Sequence, residues 1–281
     1  MTNKDITIII TSFKSDVKIE NCLNSINKEV KVIIIENSNN KELKKKIENK
    51  YSNVQCLLSD ENLGYAKGNN LGLKMVKTKY CIILNPDAEL YDNTINNFLL
   101  SAKKNPNFAI IGPYIQEQKN NEKKVENENS LIEVDNLKGF ALFLNMREFL
   151  DIGFFDENFF IYFEEIDLCR RLKLKNKKIY LDPTLKVKHS GGSSHNSEFN
   201  EEMELSRNWH WMWSSFYYHK KHRGYLMSLI KILPKLSSAL IRIIFYTFIF
   251  NNKKRKIYFQ RLSGILNSMM LKNSWYRPKI F

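Results

Sequence analysis

The stretch Tyr80-Cys81-Ile82-Ile83-Leu84-Asn85-Pro86-Asp87-Ala88-Glu89 decides the fold. Its five apolar residues in a row read as a strand buried on both faces, and Asn-Pro-Asp turns the chain out of the sheet where that strand ends. Working back from it, residues 6–11 (ITIIIT), 32–36 (VIIIE) and 54–58 (VQCLL) have the same character. Residues 15–26, 41–50 and 66–78, which lie between these runs, read as helices. Doubly buried strands alternating with helices imply parallel β-α-β units. Ligands of such a sheet bind beyond the carboxyl ends of its strands. The positions to inspect are therefore Thr11, Ser12 and Phe13; Glu36, Asn37 and Ser38; residues 59–62; and Asn85 to Glu89.

Downstream, residues 108–111 read as a further strand, and residues 116–133 as a long polar loop rich in Lys, Glu and Asn. Strand-like residues 137–144 follow, then an aromatic and acidic segment at 153–171, a strand at 178–181 and a Gly/Ser turn around His189. Helical patterns occupy about 200–221, 225–250 and 253–271. The chain has 281 residues, enough for one large domain or two small ones with a core that needs no staple. We expect a catalytic α/β domain over residues 1–204 and a helical extension over 205–281.

The composition sharpens that division. The chain carries 44 basic and 30 acidic residues, a net charge of +14. Residues 205–281 hold 15 of the basic residues and none of the acidic ones, so the first 204 residues are close to neutral. All four tryptophans (Trp209, Trp211, Trp213 and Trp275) lie in that basic part. Residues 226–250 are too interrupted by Lys231, Pro234, Lys235 and Arg242 for a membrane span. They suit a helix lying on a membrane, and the run Lys253-Lys254-Arg255-Lys256 suits an anionic leaflet. A nucleic-acid-binding tail is the rival reading, disfavoured because the apolar residues recur at helical spacing. Cys22, Cys56, Cys81 and Cys169 form no Cys-x-x-Cys pair and read as buried, reduced thiols. No leader pattern opens the sequence, so a cytoplasmic location is expected.

Three clusters carry chemistry. Asp87 stands where the chain leaves the sheet, and a carboxylate there can hold Mg²⁺ or Mn²⁺; it can equally serve as a turn and cap residue. In GFFDENFFIYFEEIDLCRR (153–171), aromatic rings stand next to Glu164, Glu165 and Asp167. Apolar surroundings raise a carboxylate's proton affinity toward a general base's range. Asp167 has the spacing of a structural ion pair with Arg170 or Arg171. Glu165 is the better candidate base, while Glu164 fits a helix-start acid equally well. His189 precedes Gly191 and Gly192, which let backbone amides turn toward a phosphate.

Taken in order, these clusters, with Thr11-Ser12-Phe13, Glu36-Asn37-Ser38 and the segment ENLGYAKGNNLG (61–72), resemble the inverting family 2 glycosyltransferases of GT-A fold. The rhamnosyltransferase-like branch of surface-polysaccharide synthesis looks closest. The resemblance implies a nucleotide-sugar donor, such as dTDP-rhamnose, and a glycan or lipid-linked acceptor. It implies that Glu36, Thr11 and Phe13 receive the nucleotide base and that Asn62, Gly64, Lys67 and Asn70 pass by the donor. It further implies that Asp87 and His189 hold the metal, with Asn85 in place of the family's first acid, and that Glu165 falls at the catalytic base. A nucleotidyltransferase on a similar scaffold is the alternative. No nucleic-acid partner is expected. The expected location is the inner face of the plasma membrane, and the tail also offers a surface for a second copy of the chain.

Overall fold

The computed structural model describes residues 2–114, 131–189 and 195–278. These fall into two compact units. One comprises Met1–Leu63, Lys67–Phe155 and Glu165–Asn196, and the other Gly64–Ala66, Asp156–Glu164 and Ser197–Phe281.

In the first unit, strands β1 (Ile6–Ser12), β2 (Lys31–Glu36), β3 (Val54–Leu58) and β4 (Tyr80–Leu84) alternate with helices α1 (Asp16–Asn24), α2 (Lys41–Lys50) and α3 (Gly64–Leu73), whose first three residues belong to the second unit. There follow β5 (Ala88–Leu90), α4 (Thr94–Lys104), β6 (Phe108–Pro113), β7 (Ile132–Glu133), β8 (Ala141–Asn145), α5 (Glu164–Leu174), β9 (Lys178–Asp182) and β10 (Val187–His189). The main sheet has eight strands in the order β3-β2-β1-β4-β8-β6-β9-β7. Strands β3, β2, β1 and β4 run parallel, and β8 is inserted antiparallel to both β4 and β6. Their sequences say why. The continuous apolar runs of β1, β2 and β4 are buried on both faces, whereas β3 alternates at the sheet edge with Gln55 exposed. Tyr80, Phe98, Phe108 and Phe143 pack ring to ring across this core, with centroids 4.9 to 5.9 Å apart. All four cysteines are free and buried.

The expected elements recur with shifted ends. The helix read over 66–78 runs from Gly64 to Leu73, and residues 137–140 of the strand-like stretch form the loop entering β8. Helix α4 and the small two-stranded sheet of β5 and β10 are additions to the pattern reading. Of the long polar loop, residues 116–130 lie outside the described residues and residues 132–133 form β7.

Strand order reverses direction between β1 and β4: β2 and β3 lie to one side of β1, and β4 to the other. That switch point leaves a crevice beyond the ends of β1 and β4, where crossovers diverge to opposite sides. Helix α3 seats closely on β1 because it has glycines at two successive turns. A Cβ on Gly68 would stand 2.6 Å from Thr11 Cγ2, and one on Gly72 2.7 Å from Ile9 Cγ2.

The second unit contains α6 (Asn200–Arg223), α7 (Tyr225–Phe248) and α8 (Asn252–Met269). Acidic Glu201 and Glu202 open α6 and Lys220, Lys221, His222 and Arg223 close it, matching the helix dipole at both ends. Gly224 turns the chain at φ 82°, a conformation glycine adopts without strain. Helices α6 and α8 meet backbone to backbone, since a Cβ on Gly264 would collide with the Trp209 carbonyl. Trp209 and Trp213 are buried with Tyr276, while Met212, Phe216, Ile232 and Ile265 form the neighbouring apolar cluster. The three indoles at two-residue spacing thus divide as the helical period requires: Trp211, on the opposite side, is 43% exposed. No helix among the described residues is long and apolar enough to cross a membrane.

Candidate active site

At the switch point, Asp87 follows β4 and Pro86. Its carboxylate is buried, yet among the described residues neither oxygen accepts a hydrogen bond. The nearest basic group is His189 Nε2, 3.4 Å from Oδ1, brought there because β10 pairs antiparallel with β5 so that His189 stands opposite Ala88. The His189 ring stacks on Phe140 (centroids 4.5 Å apart, planes at 22°). Phe140 in turn accepts the Asn85 N–H at 2.8 Å through its carbonyl. A buried carboxylate without donors is costly, and a cation is the partner that relieves it. Carboxylate oxygens with one imidazole suit Mg²⁺ or Mn²⁺, with the open positions going to phosphate or water. Among the described residues no third His, Cys, Asp or Glu completes a metal-binding cluster. Gly191, Gly192 and the rest of the expected turn lie outside the described residues.

Glu36, at the end of β2, is organised differently. Its Oε1 accepts from Ser38 N (3.0 Å) and from the Ser38 hydroxyl, and its Oε2 accepts from Asn40 N (2.7 Å). The carboxylate therefore folds its own loop, and a nucleotide base would share it. Nearby, Thr11 Oγ1 is buried with no hydrogen-bond partner among the described residues, and Phe13 is half-buried over a turn closed by Ser15 Oγ. Lys67 pairs with Glu61 at 3.5 Å and is exposed. Asn62 is half-buried in the same segment.

Two of the expected donor-side residues have work within the protein itself. Asn70 spends its amide on a clamp: Nδ2 donates to Phe155 O at 2.8 Å and Oδ1 accepts from Phe155 N at 3.0 Å. It fixes the chain 85 residues downstream, an arrangement that local sequence cannot reveal. Gly64 is required by packing, since it has φ 74° and a Cβ there would collide with the Phe160 carbonyl, which accepts the Tyr65 N–H at 2.7 Å.

Glu165 lies in the first turn of α5. Burial raises its carboxyl above the usual range, opposed by its own and Ile166's backbone N–H and by Lys138. Its Oε2 has no hydrogen-bond donor. Asp167, by contrast, is the structural acid that its spacing predicts: Arg171 Nε donates to it at 2.8 Å, and the same guanidinium holds the Ile152 and Phe154 carbonyls. Residues 137–140 connect the two parts of the site, with Leu137 at Cys169 and Lys138 near Glu165, and Phe140 against Asn85 and His189. Sequence reading passes over Lys138 and Phe140, although Gly139-Phe140 directly before a strand is a visible signal.

Glu164 is buried and belongs to the helical unit, at the end of a segment that α6 fastens at several points. Asp156 accepts from Tyr217 OH (3.0 Å) and Lys221 Nζ (2.7 Å), and the Ile161 carbonyl accepts from Ser214 Oγ (3.1 Å). Burial works to raise the Asp156 carboxyl, but Lys221 and Asn158 together hold it below its usual range. Phe160 stacks on His210 at 4.4 Å and carries the Arg277 guanidinium over its ring at 3.9 Å. Trp211 meets Tyr162 edge-on (5.2 Å) and Phe163 at a tilt (5.3 Å). Tyr162 and Phe163 have φ of 72° and 70°, left-handed values that aromatic residues rarely adopt. Such strain persists only where surrounding contacts impose it, and here it sits directly before the two glutamates.

Comparison with known proteins agrees with this architecture. The low-salt glycan biosynthesis hexosyltransferase Agl10 of Haloferax volcanii is 27% identical over 198 residues, covering 62% of this chain and 64% of that protein. The chain thus spans less than two thirds of that relative's length. The rhamnosyltransferase WbbL of Escherichia coli is 23% identical over 193 residues, covering 57% of this chain and 71% of that protein. Among solved structures, the mannosyltransferase PcManGT from Pyrobaculum calidifontis, in complex with GDP-Man and Mn²⁺, superposes with a TM-score of 0.61. It shares 10% identity, with 96% of this chain and 88% of that one covered, a likeness of fold. The fold is GT-A with C-terminal helices. With the description of Glycosyl transferase family 2 matching residues 7–171, more than half of its length, the chain belongs to that family.

Proposed function

We propose that the chain is an inverting glycosyltransferase that moves a sugar from a nucleotide-diphosphate donor to a hydroxyl of a glycan or lipid-linked acceptor. The observation that carries this reading is Asp87, a buried carboxylate with no hydrogen-bond donor among the described residues, beside His189 at the sheet's switch point. Asp87 and His189 would hold Mg²⁺ or Mn²⁺, and the ion, when bound, neutralises charge on the donor's phosphates. Thr11, Phe13 and Glu36 border the end of the sheet where a nucleotide would lie. Glu165 serves as the base: its raised proton affinity suits removal of the acceptor's hydroxyl proton as that oxygen attacks the anomeric carbon. Attack opposite the leaving diphosphate inverts the configuration in one displacement. The name of WbbL supports trying dTDP-rhamnose first. The exposed apolar residues of α7 and the run Lys253–Lys256 support attachment to the inner, anionic face of the plasma membrane.

The test is a panel of nucleotide sugars incubated with the chain, Mn²⁺ and acceptor glycolipids. Release of nucleoside diphosphate with an inverted glycoside is expected. Release of pyrophosphate, the product of a nucleotidyltransferase, would overturn the reading.

A further inference from the structure

The helical unit contains a cavity of about 300 Å³ that the reading above does not use. Trp211 and Met212 of α6, Lys235 and Ser238 of α7, and Tyr258 and Arg261 of α8 line it. Its cations are uncompensated. Lys235 is half-buried and, among the described residues, donates only to the Ser215 hydroxyl, at 2.6 Å. Arg261 donates to the Asn208 side-chain oxygen at 2.6 Å. The Tyr258 ring carries the Arg261 guanidinium at 5.0 Å from its centroid, and the exposed Arg242 guanidinium at 5.1 Å. Among the described residues no carboxylate pairs with Lys235, Arg242 or Arg261, although elsewhere in this unit Lys221, Lys253 and Lys256 each have one. Burial, and then Arg261, lower the Lys235 ammonium below its usual range, as an unpaired cation in poor solvent requires. Two cations in one cavity wall, Lys235 and Arg261, with no counter-charge among the described residues, call for an anion, and an Arg fork with a Lys is how proteins hold phosphate.

The surroundings narrow the ligand further. The volume is at the small end for a ligand site, enough for a head group but not for a long molecule. The same helix that supplies Lys235 leaves Leu233, Leu240, Ile241 and Ile244 exposed to solvent, an apolar track that a hydrocarbon chain can cover. Trp211, in the cavity wall, touches Tyr162 and Phe163, the two residues before Glu164.

We infer that this cavity binds the phosphate or diphosphate head of a lipid whose apolar chain lies along α7. The inference rests on the proposed transfer to a lipid-linked acceptor and names the part of the chain that grips that acceptor's phosphate.

Trp211 fluorescence of the full chain reads the test, with farnesyl diphosphate, inorganic diphosphate and phosphatidylglycerol vesicles as probes. Farnesyl diphosphate should bind at least tenfold more tightly than inorganic diphosphate, with the signal lost in Trp211→Phe. The double variant Lys235→Gln/Arg261→Gln should lose at least tenfold in affinity, and Lys235→Arg/Arg261→Lys should recover most of it. Equal affinity of the Gln double variant and the wild type overturns the inference. So does inorganic diphosphate binding as tightly as the lipid, which indicates a soluble-anion site, or displacement of the probe by phosphatidylglycerol, which indicates a phosphodiester surface. Thymidine diphosphate titrated with Mn²⁺ should bind both variants like the wild type, which also reports that they are folded. No donor sugar or turnover enters this assay, so a chain that fails to transfer sugar can still pass it, and one that transfers sugar can still fail it.

Discussion

The ends of β2 and β4 each carry a buried carboxylate, and they treat it in opposite ways. After β2 the chain runs Asn-Ser-Asn-Asn, and Ser38 and Asn40 supply three donors to Glu36. After β4, Pro86 has no N–H to offer, and Asp87 is buried with both oxygens unserved. Helix α5 repeats the contrast over two residues: Asp167 is tied to Arg171, while Glu165 keeps an oxygen without a donor. Position at the sheet edge thus brings an acid to the site, but the supply of local donors decides whether it closes a loop or stays open to something else.

The contrast can be broken most sharply at α5. Glu165→Gln is expected to lower turnover by about 10²-fold or more with donor binding retained, whereas Asp167→Asn should lose stability without that selective effect on kcat. Near-normal transfer by Glu165→Gln removes it from the role. Because burial raises the Glu165 carboxyl, wild-type kcat/KM should climb with pH through a limb lying above the usual carboxylate range. A limb within the ordinary range would contradict the burial argument.

The two strand ends provide the next test. In metal-free buffer Asp87→Asn should melt close to the wild type, since among the described residues Asp87 accepts no hydrogen bond and has only His189 beside it. The stabilisation of the wild type by Mn²⁺, about 2.7 kcal/mol at one hundred times Kd, should vanish in that variant. Glu36→Gln should cost about 1–3 kcal/mol with or without Mn²⁺, because it weakens hydrogen bonds to a charged group, and it should retain the Mn²⁺ response. Equal behaviour of the two variants in thermal melts would erase the distinction.

The smallest expected effect concerns a buried base in the helical unit. His210 Nε2 donates to the Tyr276 carbonyl at 2.9 Å, so Nδ1 accepts from Ser274 Oγ at 3.0 Å and the ring is neutral. Burial pushes its pKa down to about 3. Below the unfolded value of about 6.5 the unfolded chain gains a proton that the fold refuses, so this contribution is whole above that pH and is lost as pH falls toward 3. Between pH 7 and 6 the loss is about 0.7 kcal/mol. Denaturant melts of His210→Asn across that interval should show a flatter slope than the wild type.

The strands around the switch point are legible from sequence because residues buried on both faces leave uninterrupted apolar runs such as ITIIIT. The tail helices are legible because Gly224 and the Asn251–Asn252 pair mark their ends. Helix α4 had a readable stripe in Ile95, Phe98, Leu99 and Ala102, diluted by three asparagines. Strands β5 and β10, three residues each, are too short for any period to register. At the site, the Asp167 pairing with an arginine was legible from its spacing, as were the places of Asp87 just after β4 and of Glu165 near the start of a helix. The Asn70 clamp, the seating of Gly68 on Thr11 and the Lys235–Arg261 cavity were not, because each joins residues far apart in the chain.

The fastening of residues 156–164 by α6 bears on the order in which the protein is made. A nascent chain that has just released β9 from the ribosome already holds every strand of the main sheet, with Asp87 and Glu165 in it. Ser214, Tyr217 and Lys221 leave the ribosome only later, and Arg277, which covers Phe160, later still. The segment leading into the two glutamates therefore gains its fasteners after the sheet strands, and a chain cut off behind β9 would hold every sheet strand while residues 156–164 stayed untied.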